Sequence, residues 1–206
     1  GFLADAVFNF MCLLGWSPGD DTEVMTRQRI VRRFSIDRIN DSPATFDAEK
    51  LEWMNGVYIR SMDEDHLIEM LLPFMERPEA DGGLPDTVER PIDRVYLKKL
   101  IPLVHERLKL LTEGTETLDF FFADNVNPAA EDLPGRKMDI AMTEIALESA
   151  LGLCKTVSSF QPEHLETEYR ELAEKIEMKP GQLFSPIRVA ITGKSFAPPL
   201  FDTMAA

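Results

Sequence analysis

The sequence predicts an all-α protein built from successive small helical modules, and two observations support this. Apolar residues recur at spacings of three and four along most of the 206 residues, whereas alternation typical of strands never extends beyond a few residues. Proline, glycine and helix-capping residues interrupt these segments at short intervals. Frequent interruptions favour several small helical modules over one long bundle.

The first half of the chain contains five predicted helical segments. They cover 4–14, 23–34, a stretch capped by Asp47, a stretch capped by Asp63, and 91–111. Aspartate is a favourable N-cap because its carboxylate accepts hydrogen bonds from free backbone N–H groups. Pro102 should kink or split the fifth segment, since an interior proline removes a backbone hydrogen bond.

The second half contains three further helices and a final helical turn. We predict helices over 136–153, 162–177 and 182–192, and a turn that begins at Leu200. Pro162 suits a first helical turn, where a missing N–H costs nothing. Gly193 ends the third of these helices, and residues 194–199 form the loop that follows.

The charge of the chain is strongly negative and unevenly distributed. There are 22 Lys and Arg residues against 36 Asp and Glu residues, which gives a net charge of −14. Non-specific coating of DNA or anionic membranes is therefore excluded, and a nucleic-acid partner would need local basic patches. Residues 178–201 carry three basic residues and no acidic residue. This basic terminal module is a plausible surface for a polyanion.

No self-sufficient catalytic or metal site is predicted. Cys12 and Cys154 are too far apart for a zinc motif and are expected to be free thiols in a reducing compartment. The three histidines are scattered singly, and there is no phosphate-binding glycine loop or nucleophile elbow. Paired acids such as Asp20 and Asp21 are expected at helix starts, where capping would explain them.

The beginning of the sequence suggests a fragment of a longer protein. Residue 1 is Gly and lies inside an apolar pattern. The longest apolar run, Val7 to Leu14, is far too short to span a bilayer. We therefore expect no membrane partner.

Three stretches have specific motifs in a fixed order. They are Leu13-Leu14-Gly15-Trp16-Ser17-Pro18-Gly19-Asp20, then Ser42-Pro43-Ala44-Thr45-Phe46-Asp47 with Trp53-Met54-Asn55-Gly56, and Pro186-Ile187-Arg188-Val189-Ala190-Ile191-Thr192-Gly193. In order and spacing the chain resembles the C-terminal half of bacterial glutamyl-tRNA synthetases over nearly its whole length. The nucleotide-binding signatures of that family, H-I-G-H and K-M-S-K-S, are absent.

The resemblance implies a fold, a division into modules and a function. It implies a stem-contact helical bundle at residues 1–62, followed by two anticodon-binding helical subdomains at 63–128 and 129–206. It implies binding of tRNA(Glu) by a monomeric, cytoplasmic protein that binds no DNA. The parent enzyme would be a glutamate–tRNA ligase that uses ATP and Mg²⁺. The 206 residues themselves would bind no cofactor and would be inactive alone.

The same resemblance assigns candidate residues for reading the anticodon. Arg107, on the long predicted helix, would read the third base, while Arg188 would belong to the pocket for the first base. Arginine suits both places because its planar guanidinium bonds to or stacks on a base and keeps its charge. Ala197, Pro198 and Leu200 match residues that pack against the first base. Pairing with Glu106 or Glu113 is the alternative for Arg107.

Candidate contacts to the tRNA backbone lie in the stem-contact module. They are Lys50, Asn55 and Arg60, and the cluster Arg27, Arg29, Arg32 and Arg33. Contacts of this kind position the RNA without reading its sequence. For the arginine cluster, an ordinary solvated helix face is an equal alternative.

Two other functions remain open on the sequence. One is a free-standing helical module that binds protein partners through amphipathic helices, without nucleic acid. The other is a paralogue that serves glutaminyl-tRNA or modifies tRNA, although the truncated modifying paralogues lack this helical half.

Overall fold

A computed structural model of the chain describes residues 1–40, 45–135 and 137–206. Ser42, Pro43 and Ala44 of the second motif, and Arg136 at the start of a predicted helix, lie outside the described residues. Within the described parts the chain is all-α, as predicted. The only bridge between extended segments there is an isolated pair, Trp16 and Ile39.

Ten α-helices form the described structure. Their bounds are α1 Ala4–Gly15, α2 Arg27–Arg33, α3 Ala48–Arg60, α4 Glu64–Met75, α5 Arg94–Val104, α6 Thr112–Leu118, α7 Ile140–Cys154, α8 Pro162–Lys175, α9 Pro180–Thr192 and α10 Leu200–Ala205. Short 3-10 helices cover Ile36–Arg38, Glu79–Asp81 and Asp119–Phe121. In this described part, no helix is both long enough and apolar enough to cross a membrane.

The predicted helix caps are confirmed where the capping residue and its partner lie close together in the sequence. The carboxylate of Asp47 accepts a hydrogen bond from the backbone N–H of Lys50, and that of Asp63 accepts one from His66. Pro162 occupies the first turn of α8. Gly193 ends α9 with a φ of 72°, a backbone conformation that glycine adopts without strain.

The predicted helix over 91–111 is wrong at both ends. Helix α5 begins at Arg94, after the cap Asp93, and ends at Val104. A turn follows, in which the N–H groups of Arg107 and Leu108 both bond to the carbonyl of Val104. Leu108 and Leu111 are buried without being part of that helix. The helical spacing of apolar residues therefore continues beyond α5 into a turn. This explains why the predicted helix was too long.

The chain divides into two compact units. The first contains residues 1–83 and 90–116, and the second contains residues 84–89 and 117–206. In the first unit α1 packs against α3, and α4 packs against α5. The division into modules at 1–62, 63–128 and 129–206 remains a prediction.

The core of the second unit lies where α7, α8 and α9 meet. Ala146 and Ala150 on α7 are small and buried, which allows close approach of α9. Tyr169 on α8 is buried and donates its hydroxyl hydrogen to the carbonyl of Ala150 at 3.2 Å. Its ring lies 5.8 Å from that of Phe201 on α10. This packing fixes the position of the end of α9 and the loop that follows it.

Candidate nucleic-acid interface

Arg188 braces the loop that follows α9. Its Nη1 atom donates hydrogen bonds to the carbonyl oxygens of Ala197, at 3.2 Å, and Pro198, at 2.7 Å. The side chain is half-buried. Hydrogen bonds from a charged donor are among the stronger ones in proteins. Arg188, which belongs to the motif at residues 186–193, therefore holds the loop of residues 194–199 in position by bonding to its backbone.

The beginning of the same loop is held by two further contacts. The hydroxyl of Thr192 donates to the carbonyl of Arg188 at 2.7 Å and accepts from the backbone N–H of Lys194 at 3.1 Å. The Lys194 ammonium lies 2.7 Å from both carboxylate oxygens of Asp119. The basic charge of Lys194 is thus balanced within the protein, which weakens its attraction for an external anion.

Of the three residues predicted to pack against the first base, Leu200 lines a cavity described below, whereas Ala197 and Pro198 do not. All three are buried, with Ala197 only 7% and Leu200 only 5% exposed. Ala197 and Pro198 therefore offer little surface on which a base can lie flat. The prediction fails for Ala197 and Pro198 because small apolar residues that suit a base also suit the interior of their own unit.

A cavity of about 350 Å³ opens beside Arg188. It is lined by residues of α8, α9, α10 and the adjoining loop: Pro162, Glu163, Glu166, Arg170, Phe184, Arg188, Pro199, Leu200, Phe201 and Asp202. Arg170 pairs with Glu166 at 2.6 Å, and its guanidinium carbon lies 5.8 Å from the centre of the Phe184 ring. The cavity therefore combines aromatic walls with hydrogen-bonding groups, as a pocket for a base requires.

Arg107 is exposed in the turn after α5, and not on a helix as predicted. Within the described residues no acidic side chain pairs with it. Glu113, the alternative partner, accepts hydrogen bonds from the backbone N–H groups of Lys109 and Leu110 at 2.7 and 3.1 Å. The guanidinium of Arg107 is thus presented to solvent, as a base-reading residue requires.

Asn55 is corrected as a candidate contact to the tRNA backbone. Its side chain is fully buried, and its Oδ1 accepts a hydrogen bond from the N–H of Leu3 at 2.8 Å. Its Nδ2 donates to the carbonyl of Lys109. The asparagine of the Trp-Met-Asn-Gly motif therefore joins the start of the chain to the segment after α5. It has no surface with which to reach a phosphate.

The other residues predicted to contact the tRNA backbone differ in whether their charges are already paired within the protein. Lys50 pairs with Glu23, and Arg33 bonds to Asp20 and to the carbonyl of Pro18. Arg27 pairs with Asp5 at 3.2 Å and lies over the Phe8 ring. Arg60 is half-buried, and its Nη1 atom lies beside Gly56. Most of these cations thus have partners inside the first unit.

Arg29 and Arg32 of the same cluster remain exposed on α2. Neither has an ion pair within the described residues. The sequence pattern alone could not separate them from Arg27 and Arg33, because those partners come from α1 and the loop after it. The two exposed arginines are therefore the stronger phosphate candidates in this cluster.

Comparison with known proteins finds two family matches along the chain. Residues 66–206 match the anticodon binding domain family, and residues 1–53 match the family described as tRNA synthetases class I (E and Q), catalytic domain. Glutamate–tRNA ligases of Roseiflexus castenholzii and Chloroflexus aurantiacus are 44% and 45% identical to this chain over its full length. The chain spans 40% and 41% of the length of these two relatives.

A solved structure supports the fold. The glutamate tRNA ligase of Elizabethkingia meningosepticum matches the whole chain over 39% of its own length, with a TM-score of 0.76 and 22% identity. The family match covers more than half of the chain and includes Arg107, Arg188 and the braced loop. The chain therefore belongs to the anticodon binding domain family.

Proposed function

We propose that this chain is the tRNA-binding and anticodon-recognition part of a glutamate–tRNA ligase, and that its partner is tRNA(Glu). One observation carries the proposal: Arg188 braces a loop beside a cavity in the segment that matches the anticodon binding domain family. Anticodon bases can be splayed out of their stack and bound individually in such sites.

The distribution of cations supports an RNA partner. The net charge of −14 repels a polyanion in general, so binding must depend on a few available cations. Arg29, Arg32 and Arg107 are exposed. In this proposal Arg107 reads the third anticodon base, Arg188 shapes the pocket for the first, and arginines on α2 contact phosphates.

The activity of the parent protein follows as part of the same proposal. The parent activates glutamate with ATP and Mg²⁺, transfers it to tRNA(Glu), and works as a cytoplasmic monomer that binds no DNA. Within the described residues, no three His, Cys, Asp or Glu side chains form a group that would hold a metal ion. The role of these 206 residues is to bind and orient the tRNA.

The test is a titration of the chain with tRNA(Glu) at several salt concentrations. Phosphate contacts release counterions, so the affinity should fall steeply and linearly on logarithmic axes as salt rises. Duplex DNA of similar length is the control and should not compete. If tRNA(Glu) does not bind at low salt, or binds with no salt dependence, the proposal is wrong and a protein-binding module becomes the better account.

A further inference from the structure

Phe196 is the most exposed large apolar side chain in the part of the chain that the structure describes. It is 82% exposed and lies in the loop between α9 and α10. An exposed aromatic residue is not unusual in itself. Its immediate neighbours make it unusual, because Ala197 and Pro198 directly after it are buried.

The loop that carries Phe196 is held on both sides. Before it, Lys194 is paired with Asp119 at 2.7 Å and bonded to Thr192 at 3.1 Å. After it, the carbonyls of Ala197 and Pro198 accept hydrogen bonds from Arg188. Pro198 and Pro199 further restrict the backbone. A partner that contacts the Phe196 ring therefore loses little affinity to ordering of the loop.

The loop that carries Phe196 has no acidic residue of its own, whereas the cavity beside Arg188 is lined by Glu163, Glu166 and Asp202 as well as by arginines. No acidic residue occurs between residues 178 and 201, and the guanidinium of Arg188 lies beneath the loop. Phe160 offers a comparison in the same unit. It is 45% exposed, but it precedes α8, whose first residues include Glu163 and Glu166. Phe160 therefore serves as a comparison residue that is exposed in the same unit but lies outside the loop held by Arg188.

We infer that Phe196 is a stacking platform for one unpaired base of the bound RNA, on the loop that Arg188 holds in place. This inference rests on the proposed function and adds a base-contacting residue that the motifs do not indicate. The flat ring supplies the open apolar surface that Ala197 and Pro198 do not present. Stacking tolerates any base, so Phe196 contributes affinity and leaves discrimination between bases to the polar groups around it.

The experiment compares RNA binding by the 206-residue chain and three variants. The variants are Phe196→Leu, which keeps an apolar side chain without a π face, Phe196→Trp, which keeps the face, and Phe160→Leu as the control. The RNA is the isolated anticodon stem–loop of tRNA(Glu). Circular dichroism and thermal melting should show no change for the variants at 196, because the ring contributes almost nothing to the core.

We expect Phe196→Leu to weaken binding by roughly 5- to 150-fold, the range measured when a stacking aromatic is removed. Phe196→Trp should bind as well as the parent or better, and Phe160→Leu should bind like the parent. In a set of stem–loops that each carry one abasic loop nucleotide, one member should bind the parent and Phe196→Leu equally weakly. That member identifies the stacked base.

Two results would overturn the inference. If Phe196→Leu and the parent bind the stem–loop equally while the parent retains salt-dependent binding of tRNA(Glu), stacking by Phe196 is wrong and the proposed function stands. If the parent binds neither RNA at any salt concentration, both are wrong.

Discussion

The Nη1 atom of Arg188 lies 2.7 Å from the carbonyl oxygen of Pro198, ten residues further along the chain. Through this hydrogen bond Arg188 holds the loop beside the cavity in place. Loss of the arginine should therefore have two separable effects, one on the loop and one on the RNA. The predictions below distinguish such internal roles from direct contacts with RNA.

The first prediction concerns Arg188. Arg188→Ala should weaken binding of tRNA(Glu) by roughly 5- to 150-fold and reduce discrimination at the first anticodon base, because the loop is released and a base partner is lost. Titrations with tRNAs changed at that base measure both effects. Arg188→Lys keeps the charge without the planar fork and should restore affinity only in part. Identical curves for Arg188→Ala and the parent would contradict the assignment.

The second prediction concerns Asn55. Asn55→Ala should lower the free energy of unfolding by about 2 kcal/mol or more, because the Leu3 N–H and the Lys109 carbonyl lose a buried partner. Urea denaturation measures this change. Asn40→Ala is the matched control, since Asn40 is exposed. If the folded Asn55→Ala chain shows a reduced salt slope for tRNA binding with unchanged stability, Asn55 contacts the backbone after all.

The third prediction concerns the arginines of α2. Arg32→Gln should reduce the slope of log affinity against log salt by about 1, equally for all anticodon variants, as expected for a phosphate contact. Arg27→Gln lies on the same helix but removes a cation already paired with Asp5 and placed over Phe8. Its effect should be smaller. Equal slopes for Arg32→Gln and the parent would indicate an ordinary solvated helix face.

The fourth prediction concerns pH. The hydrogen bond from Arg33, together with those from Thr22, lowers the pKa of Asp20 from 3.8 to about 2. A carboxyl with a lowered pKa in the folded state stabilises the fold above its ordinary pKa, and this contribution is lost as the pH falls. Asp20→Asn should therefore be less stable than the parent above pH 3.8, and the difference should shrink towards pH 2. Urea denaturation at a series of pH values checks this, and a constant difference would contradict it.

The fifth prediction concerns catalysis. A polypeptide of these 206 residues should show no glutamate-dependent exchange of pyrophosphate into ATP, because the H-I-G-H and K-M-S-K-S signatures are absent from it. Exchange above a blank without protein would show that a nucleotide site exists among these residues.

Local signals in the sequence predicted the helices better than the site. The caps Asp47 and Asp63 act on N–H groups three residues away, so the sequence contains both partners at a fixed spacing. The bond between Asn55 and Lys109 joins residues 54 positions apart, and the pair Lys194–Asp119 spans 75 positions. Such partners are brought together by packing and leave no periodic pattern in the chain.

For the loop of residues 194–199, too, the sequence alone does not show which side chains are free to contact RNA. Apolar residues at 197, 198 and 200 are compatible with either a base-binding surface or a core, and only the tertiary structure shows that they are buried. The tertiary structure leaves Phe196 exposed, although Ala197 and Pro198 directly after it are buried. The sequence identifies the arginines as candidate RNA contacts. It does not show which of them are already paired with an acidic side chain, because those pairs form only in the tertiary structure.

The most direct test of RNA-loop recognition is a competition experiment. Labelled tRNA(Glu) bound to the chain is titrated with its isolated anticodon stem–loop, and in parallel with the same stem–loop carrying a changed loop sequence. The account predicts that the native stem–loop displaces the tRNA and that the altered one does so at least several-fold less well. Equal displacement by both, or by neither, would contradict the claim that these helices recognise the anticodon loop.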